Sequence, residues 1–368
     1  MIIFYIFTLL VLTFYSYSFV DGNFPIKIFP QFFYLISSNK ELSSLIYISL
    51  IISLFLSYAW FLFLIYKNRL SIRKVGILIM FTVFILFFSF PGFSYDIFNY
   101  IATSKVTFLY KENPYLTMPI EIRNEPLLAF MHAANKTALY GPVWILLTGI
   151  PYHLGLQNLM ITIFTFKFTV LLFYLGLLYL IWNLSKKSIW SLVFFGLNPL
   201  VIIETLVGGH NDVAMMFFAL LSFKMIKDKK LIYSIIFIFL SILIKYATIF
   251  LLPIFFYYAY LSLRDRQINF NKLWKYCAFA MYLIFFLSPL REEIYSWYFI
   301  WPFVFVALLE KENFIIIVSQ AFSFGLMFRF LPFLYTGSWI GITPFIKKIV
   351  SLFPPVLAGA AYVIKKKI

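Results

Sequence analysis

Long uninterrupted apolar runs, each close to twenty residues, recur along almost the whole chain. A helix needs about 20 apolar residues to cross the hydrocarbon core of a bilayer, since each residue advances it by roughly 1.5 Å. Hydrophobic residues make up 63% of the sequence and charged residues 12%, against roughly 45–50% and about 25% in a soluble domain. A chain of this composition cannot cover its apolar surface in water, so we expect it to fold in lipid.

Twelve segments have the length or the apolar character of a membrane span, and the shorter ones indicate broken or tilted helices. They are 1–20, 43–66, 75–92, 159–183, 189–206, 210–226, 231–244, 246–263, 276–290, 297–310, 313–331 and 349–364. The first segment lacks a basic start and a small-residue cleavage site, so we interpret it as a retained span. The sequence predicts an all-α, polytopic transmembrane helix bundle of about 11–13 spans, forming one domain over 1–368.

Basic residues account for the net charge of +16, and they cluster after the second, fourth, sixth and eighth spans and at the end of the chain. Lysine and arginine favour cytoplasmic loops. A cytoplasmic N-terminus therefore places every cluster inside, provided that 141–157 does not cross. The segment 142–153 is short and contains Pro151, so we expect an interfacial or re-entrant helix there. The outer side then holds one long polar segment, 92–157.

Asp96 lies just beyond the third span, in the motif Phe93-Ser94-Tyr95-Asp96. A carboxylate at the outer membrane surface is placed to accept a proton from a hydroxyl group, and partial burial would raise its pKa. The alternative is structural, since Ser94 or Asp96 would also suit the N-cap of a helix. The residues alone leave both interpretations open.

Two turn motifs follow in the outer segment, Asn113-Pro114-Tyr115 and Tyr140-Gly141-Pro142. Asn-Pro and Gly-Pro pairs mark turns. Tyrosines beside such turns could bind a sugar ring, but they are equally typical of rings that anchor a turn at the membrane interface.

The motif Gly208-Gly209-His210-Asn211-Asp212 opens the sixth span. Its glycines expose backbone N–H groups at the start of a helix, where the helix dipole favours an anion, and His210 could add a hydrogen bond to a phosphate. Alternatively, Asn211 or Asp212 simply caps the helix. The spacing is not that of a zinc site, and we expect no metal.

Cations and aromatic rings mark later outer turns. Lys245 and Arg291 lie where a lipid-linked phosphate could bind, whereas Arg329 fits snorkelling towards headgroups better. The run 295–302 contains Trp297 and Tyr298, which could stack on a sugar, line a lipid groove or belong to an aromatic belt. Lys167 lies within a span, and the sequence indicates no role for it.

Together and in this order, these groups resemble the GT-C superfamily of membrane glycosyltransferases, most closely the bacterial polyprenyl-phosphate-mannose-dependent α-mannosyltransferases. The resemblance covers roughly 90 to 302 and depends mainly on the Tyr-Gly-Pro and Gly-Gly-His-Asn-Asp motifs. It implies a GT-C-like bundle with outer-face amphipathic helices between the early spans, which agrees with the segment 92–157 as the catalytic loop region.

The resemblance also implies a reaction. Asp96 would be the general base for attack of an acceptor hydroxyl on the anomeric carbon, with inversion, and His210, Lys245 and Arg291 would bind the departing polyprenyl phosphate. Mannose as the sugar comes from the resemblance alone. The remaining residues implied to bind substrate are Tyr95, Asn113, Tyr115, Tyr140, Asn211, Asp212, Trp297 and Tyr298.

Further expectations concern partners and location. Asp96 has no acidic neighbour in the sequence, as a metal-using member would, so we expect neither metal nor cofactor. No C-terminal soluble domain is evident, which favours a glycolipid or glycan acceptor. We expect a monomer in the inner membrane with an extracytoplasmic active site, and no nucleic acid partner, because no extended basic stretch exists.

Two other functions compete with this interpretation. A secondary transporter would place paired ionisable residues near the membrane midplane, for instance around Lys167 or Glu204. A lipid-linked glycan ligase or flippase is the second alternative, and a ligase would share the outer-face site but take a larger donor. A noncatalytic scaffold would leave the outer polar groups unexplained. A site that opens outward at Asp96 favours the transferase.

Overall fold

The computed structural model describes residues 1–21, 24, 30–131, 133–290, 293–309 and 313–367. Within these ranges the regular secondary structure is entirely helical, which confirms the predicted all-α class. The helices are α1 (Ile2–Ser16), α2 (Pro30–Ser38), α3 (Lys40–Tyr66), α4 (Ile72–Phe87), α5 (Asp96–Ser104), α6 (Pro142–Leu154), α7 (Leu159–Leu184), α8 (Ile189–Gly196), α9 (Pro199–Ile202), α10 (Asp212–Lys227), α11 (Leu231–Ile244), α12 (Leu252–Leu263), α13 (Phe270–Leu287), α14 (Ile300–Val306), α15 (Asn313–Met327), α16 (Leu331–Thr336) and α17 (Thr343–Lys367).

Seven helical segments of the described chain are long and apolar enough to cross a membrane, which confirms a polytopic bundle. They are Ile2–Phe19, Lys40–Tyr66, Leu159–Leu184, Tyr246–Leu263, Phe270–Leu290, Asn313–Thr336 and Thr343–Lys366. The pair Ile189–Gly196 and Pro199–Val207, bent by 54°, makes an eighth if it is one broken span. The other four predicted spans coincide with α4, α10, α11 and α14, which are shorter, so the count of twelve stays a prediction.

The basic turns and the motif residues lie at opposite ends of the bundle. The turn after α10 meets the turn after α12 through an ion pair of 2.5 Å between Lys229 Nζ and Asp265 Oδ1. At the far ends of α10 and α11 lie the Gly-Gly-His-Asn-Asp motif and Lys245. There the backbone N–H of Gly141, just before α6, donates to the carbonyl of Ile244 at 3.0 Å. The candidate site thus belongs to one end of the bundle, away from the basic turns.

The helix α6 has 13 residues, which corresponds to about 20 Å and is too short for a perpendicular span. It begins beside Ile244, and its C-terminal Gly155 packs against Thr162 in the first turn of α7. This position agrees with the predicted helix at 142–153.

Lys167 stabilises the turn that leads to Asp96. It is buried in α7, and its ammonium group donates to the carbonyl of Leu86 at 3.0 Å and to the hydroxyl and carbonyl of Ser89. Carbonyls at the end of a helix have no partner within the helix, and a cation is favourable there. The lysine therefore holds the C-terminal end of α4, nine residues before α5 begins.

Candidate active site

Asp96 is the first residue of α5, and its N-cap position is occupied by Tyr95. The N–H of Asp96 donates to the Ser94 hydroxyl at 3.3 Å. The Asp96 carboxylate points elsewhere: its Oδ2 lies 3.1 Å from Nδ1 of His210, and 24% of the side chain is exposed. Asp96 is thus not the N-cap, and its carboxylate faces the motif that precedes α10.

His210 is completely buried and has a carboxylate at each ring nitrogen. Besides Asp96 at Nδ1, Oε2 of Glu204 lies 3.2 Å from Nε2. The imidazole stacks on the indole of Trp297, with ring centroids 4.0 Å apart and an interplanar angle of 14°. Glu204 also accepts a hydrogen bond from the Ser296 hydroxyl. His210 is therefore enclosed by Asp96 at the start of α5, Glu204 in the turn after α9, and Trp297 just before α14.

These contacts determine the ionisation states of His210 and Asp96. Burial lowers the pKa of His210, but its hydrogen bonds and charge interactions with Asp96 and Glu204 outweigh burial and raise the pKa from 6.5 to about 9. Burial raises the pKa of Asp96, and the hydrogen bond and charge of His210, with the charge of Lys245, outweigh it, so the pKa lies below its usual value. At neutral pH the pair is therefore an imidazolium and a carboxylate.

Lys245 lies at the end of α11 and pairs with Asp212, the first residue of α10. Its Nζ is 3.0 Å and 3.2 Å from the two carboxylate oxygens. It also lies 4.4 Å from the ring centroid of Tyr298, which stacks on Trp301. The indole N–H of Trp301 donates to Asp212 at 2.5 Å. The lysine side chain is 17% exposed while that of Asp212 is fully buried, so the lysine is the more accessible member of the pair.

The glycines of the motif allow this turn to pack closely on α5. Gly209 has φ +72°, and a Cβ there would lie 2.5 Å from Cδ1 of Ile97. The N–H of Asn211 donates to the hydroxyl of Tyr100 at 3.1 Å. The amide group of Asn211 is buried and has no hydrogen-bond partner among the described residues. Any larger residue in place of Gly209 would be strained in the left-handed region and would clash with Ile97, which would push the motif away from α5 and Asp96.

The two turn motifs of the outer segment support the site from the side. The hydroxyl of Tyr115 donates to the carbonyl of Tyr140 at 2.9 Å, and the ring of Tyr140 packs edge-on against Tyr100 at 4.7 Å. The side chain of Asn113 accepts from the N–H of Tyr115 at 3.0 Å. These contacts are those of turn anchors, and they connect the outer segment to α5.

The structure therefore brings most predicted site residues together, with two exceptions. Arg291 lies outside the described residues. Tyr95 packs on Phe98 beside the start of α5. Arg329, which the sequence assigns to snorkelling and not to the site, is instead buried in a separate ion cluster with Glu293 and Lys347.

The position of His210 changes its expected role. The sequence suggested that it binds a phosphate, but its side chain is 0% exposed and both ring nitrogens face carboxylates. Because it is fully buried, it presents no N–H to a phosphate in the site, and its hydrogen bond at Nδ1 goes to Asp96.

The sequence did not identify four residues that complete the site. Glu204 faces His210, and Ser296 donates a hydrogen bond to Glu204. Trp301 donates to Asp212, and the Tyr100 hydroxyl accepts from the N–H of Asn211. The sequence indicates Glu204 only as a midplane residue of a transporter. The available signal was a single acid within the apolar segment 197–207, where a carboxylate is costly unless it has a partner. Among the described residues, no three His, Cys, Asp or Glu side chains are grouped as a metal would require; the absence of a metal stays a prediction.

Comparisons with known proteins bear on the chemistry. No curated protein and no solved structure matches the chain. The family model described as alpha-(1->6)-mannopyranosyltransferase, N-terminal domain, matches residues 9–260, a range that contains Asp96, Glu204, His210, Asp212 and Lys245. The match covers more than half of the 368 residues and confirms the resemblance found in the sequence. This multi-pass membrane protein is a mannosyltransferase, and it belongs to the alpha-(1->6)-mannopyranosyltransferase family.

Proposed function

We propose that the protein transfers mannose from polyprenyl-phosphate mannose to a hydroxyl group of a glycolipid or glycan, with inversion at the anomeric carbon. The observation that carries the proposal is the position of Asp96, whose carboxylate is partly exposed while every partner that orients it is buried. Such a group is a fixed proton acceptor at the surface of the site. The family match favours this function over a transporter.

In the proposed reaction, the acceptor hydroxyl attacks the anomeric carbon on the face opposite the phosphate. A bond forms between the acceptor oxygen and that carbon, and the bond from the carbon to the phosphate oxygen breaks. The hydroxyl proton goes to the Asp96 carboxylate, and polyprenyl phosphate leaves with the electron pair. A phosphate is a good leaving group, so the main requirement on the protein is to stabilise its developing charge.

Lys245 is the group we assign to that charge. Its side chain is 17% exposed, and its charge is close enough to lower the pKa of Asp96. We assign to the Tyr298 ring, which lies 4.4 Å from the Lys245 ammonium, the contact with the sugar or the first isoprene unit. His210 positions Asp96 through Nδ1, and Asp212 positions Lys245.

The arrangement of charges supports an outer-face site. The basic turns lie at one end of the bundle and the Asp96 cluster at the other. Because basic loops favour the cytoplasm, we propose that the site faces the extracytoplasmic side of the inner membrane.

The test is transfer of radiolabelled mannose from polyprenyl-phosphate mannose by purified wild-type protein and by Asp96→Asn. Loss of a general base lowers kcat by roughly 10²- to 10⁴-fold. Asp265→Asn, in the exposed turn after α12, is the control and should keep full turnover. Equal turnover by Asp96→Asn and wild type would overturn the assignment of Asp96 as the base. Absence of transfer by the wild type would overturn the assignment of polyprenyl-phosphate mannose as the donor.

A further inference from the structure

The environment of Glu204 is unusual for a carboxylate. Its side chain is 10% exposed, and it lies in a π-helical turn, Ile203–Val207, inside an otherwise apolar segment. Buried charges are costly unless they are paired and hydrogen-bonded, and π turns of this kind are frequent at functional sites. The proposed reaction described above assigns nothing to this residue.

The two carboxylates that face His210, those of Asp96 and Glu204, restrict its protonation state. A neutral imidazole has one N–H group, and its other nitrogen carries a lone pair. Here each ring nitrogen faces a carboxylate oxygen, at 3.1 Å from Asp96 and at 3.2 Å from Glu204. A neutral ring would therefore turn a lone pair towards one of the two anions. Only the doubly protonated ring presents an N–H to both carboxylates, through a hydrogen bond at Nδ1 and an ion pair at Nε2 whose angle does not meet hydrogen-bond geometry. The stacked indole of Trp297 stabilises a cation as well.

We propose that Glu204 is a positioning residue that keeps His210 doubly protonated, so that the imidazolium holds Asp96 ionised and oriented towards the acceptor hydroxyl. This inference rests on the proposed role of Asp96 as the base. Without Glu204, the imidazole could give its proton away and Asp96 would lose the cation that orients it. The Ser296 hydroxyl holds Glu204 in place by donating to it.

Other charged and titratable groups lie around Glu204, His210 and Asp96. Lys245, at the end of α11, and Asp212, at the start of α10, contribute opposite charges beside Asp96. Tyr47 from α3 faces Glu204, and Tyr100 and Tyr140 face Asp96. The Lys245 charge is paired with Asp212, so the two carboxylates that act directly on His210 are those of Asp96 and Glu204.

The experiment compares pH profiles of kcat/KM for wild type, Glu204→Gln and the control Glu41→Gln, whose exposed side chain lies in the first turn of α3. For the wild type we expect the alkaline limb near the His210 pKa of about 9. In Glu204→Gln it should fall to about 7, closer to an ordinary histidine. The variant should then lose about tenfold in kcat/KM at pH 8 and little at pH 6. Glu41→Gln should follow the wild type.

A spectroscopic measurement tests the same point without turnover. The chain has three histidines, so a His132→Gln/His153→Gln background with ¹⁵N-labelled histidine reports on His210 alone. Its imidazole titration should fall by about two pH units on Glu204→Gln. If that variant does not fold, Ser296→Ala should shift the titration in the same direction by a smaller amount.

The outcomes separate this inference from the proposed function. An unchanged alkaline limb together with an unchanged imidazole titration in Glu204→Gln would overturn the role of Glu204, even if Asp96→Asn is inactive. Full turnover by Asp96→Asn would instead overturn the base, whatever Glu204 does to the titration. A fall in activity of the same size at pH 6 and pH 8 would show a merely structural role and also overturn the inference.

Discussion

The ammonium of Lys245 lies 3.0 Å and 3.2 Å from the two carboxylate oxygens of Asp212, and the two residues differ in their access to solvent. The lysine side chain is 17% exposed and the aspartate side chain is 0% exposed. Removing one partner of a buried ion pair leaves the other charge uncompensated, at a cost of roughly 3–5 kcal/mol. In the proposed mechanism the pair therefore has two separable functions, one in stability and one in the binding of the leaving phosphate by Lys245.

Lys245→Met should lose both functions, and adding Asp212→Asn should restore only one. The single variant leaves Asp212 buried without its cation, so we expect its stability to fall by about 3–5 kcal/mol. The double variant should regain most of that loss in thermal melts. Its kcat/KM for the lipid-linked donor should nevertheless stay roughly 10²- to 10³-fold below the wild type, because the charge that stabilises the leaving phosphate is missing.

Lys136→Met is the matched control, since this lysine is exposed in the outer segment and makes no contact with the pair. It should keep both the melting temperature and the kinetics of the wild type. Recovery of donor use by the Lys245→Met/Asp212→Asn variant would remove Lys245 from phosphate binding.

The ionisation of His210 predicts how stability depends on pH. Its pKa is about 9 in the folded protein against 6.5 for the ordinary group. The folded state thus binds the proton more tightly, and this stabilisation is complete below pH 6.5 and is lost as the pH rises through about 9. From the difference in pKa, it amounts to about 3 kcal/mol.

The measurement is the melting temperature of the detergent-solubilised protein between pH 6.5 and pH 10. The wild type should lose stability across this range more steeply than His210→Gln, which cannot gain the proton. His153→Gln should keep the wild-type slope. Parallel curves for wild type and His210→Gln would contradict the raised pKa.

Much of the fold could be predicted because the chain folds in lipid, which allows few kinds of secondary structure. Apolar runs of about 20 residues must become helices in lipid, since a helix satisfies its own backbone polar groups. The position of the turn before α10 followed from its glycines, and Asp96 was found because a lone acid ends an apolar run. These signals are local, and local signals can be read without knowing which helices are neighbours.

The contacts of the site could not be predicted, because they join residues far apart in the sequence. Nothing local indicates that His210 faces both Asp96 and Glu204, or that Trp297 covers its ring. Lys167 had no expected role, because its partners are carbonyls at the end of another helix. Helix packing decides these pairs, and packing depends on the shapes of whole helix faces.

The close contact between α6 and α11 gives a prediction about a single methyl group. A Cβ on Gly141 would lie 2.1 Å from the carbonyl oxygen of Leu243 and 2.6 Å from its carbonyl carbon, two residues before Lys245. Gly141→Ala must therefore push the start of α6 away from the end of α11. We expect a loss of stability of about 1–3 kcal/mol and a fall in kcat/KM of at least about tenfold, because a small displacement of a catalytic group is costly.

Gly76→Ala is the control for this substitution, because Gly76 lies inside α4 and nothing is within 4 Å of the added Cβ. Alanine is the better helix former by up to about 1 kcal/mol, so this variant should be as stable as the wild type or more stable, with unchanged turnover. Thermal melts and transfer kinetics of the two variants, measured side by side, decide the point. If Gly141→Ala melts and turns over like Gly76→Ala, the backbone contact at Leu243 does not hold Lys245 in place, and the position of the cation must depend on Asp212 and the aromatic rings alone.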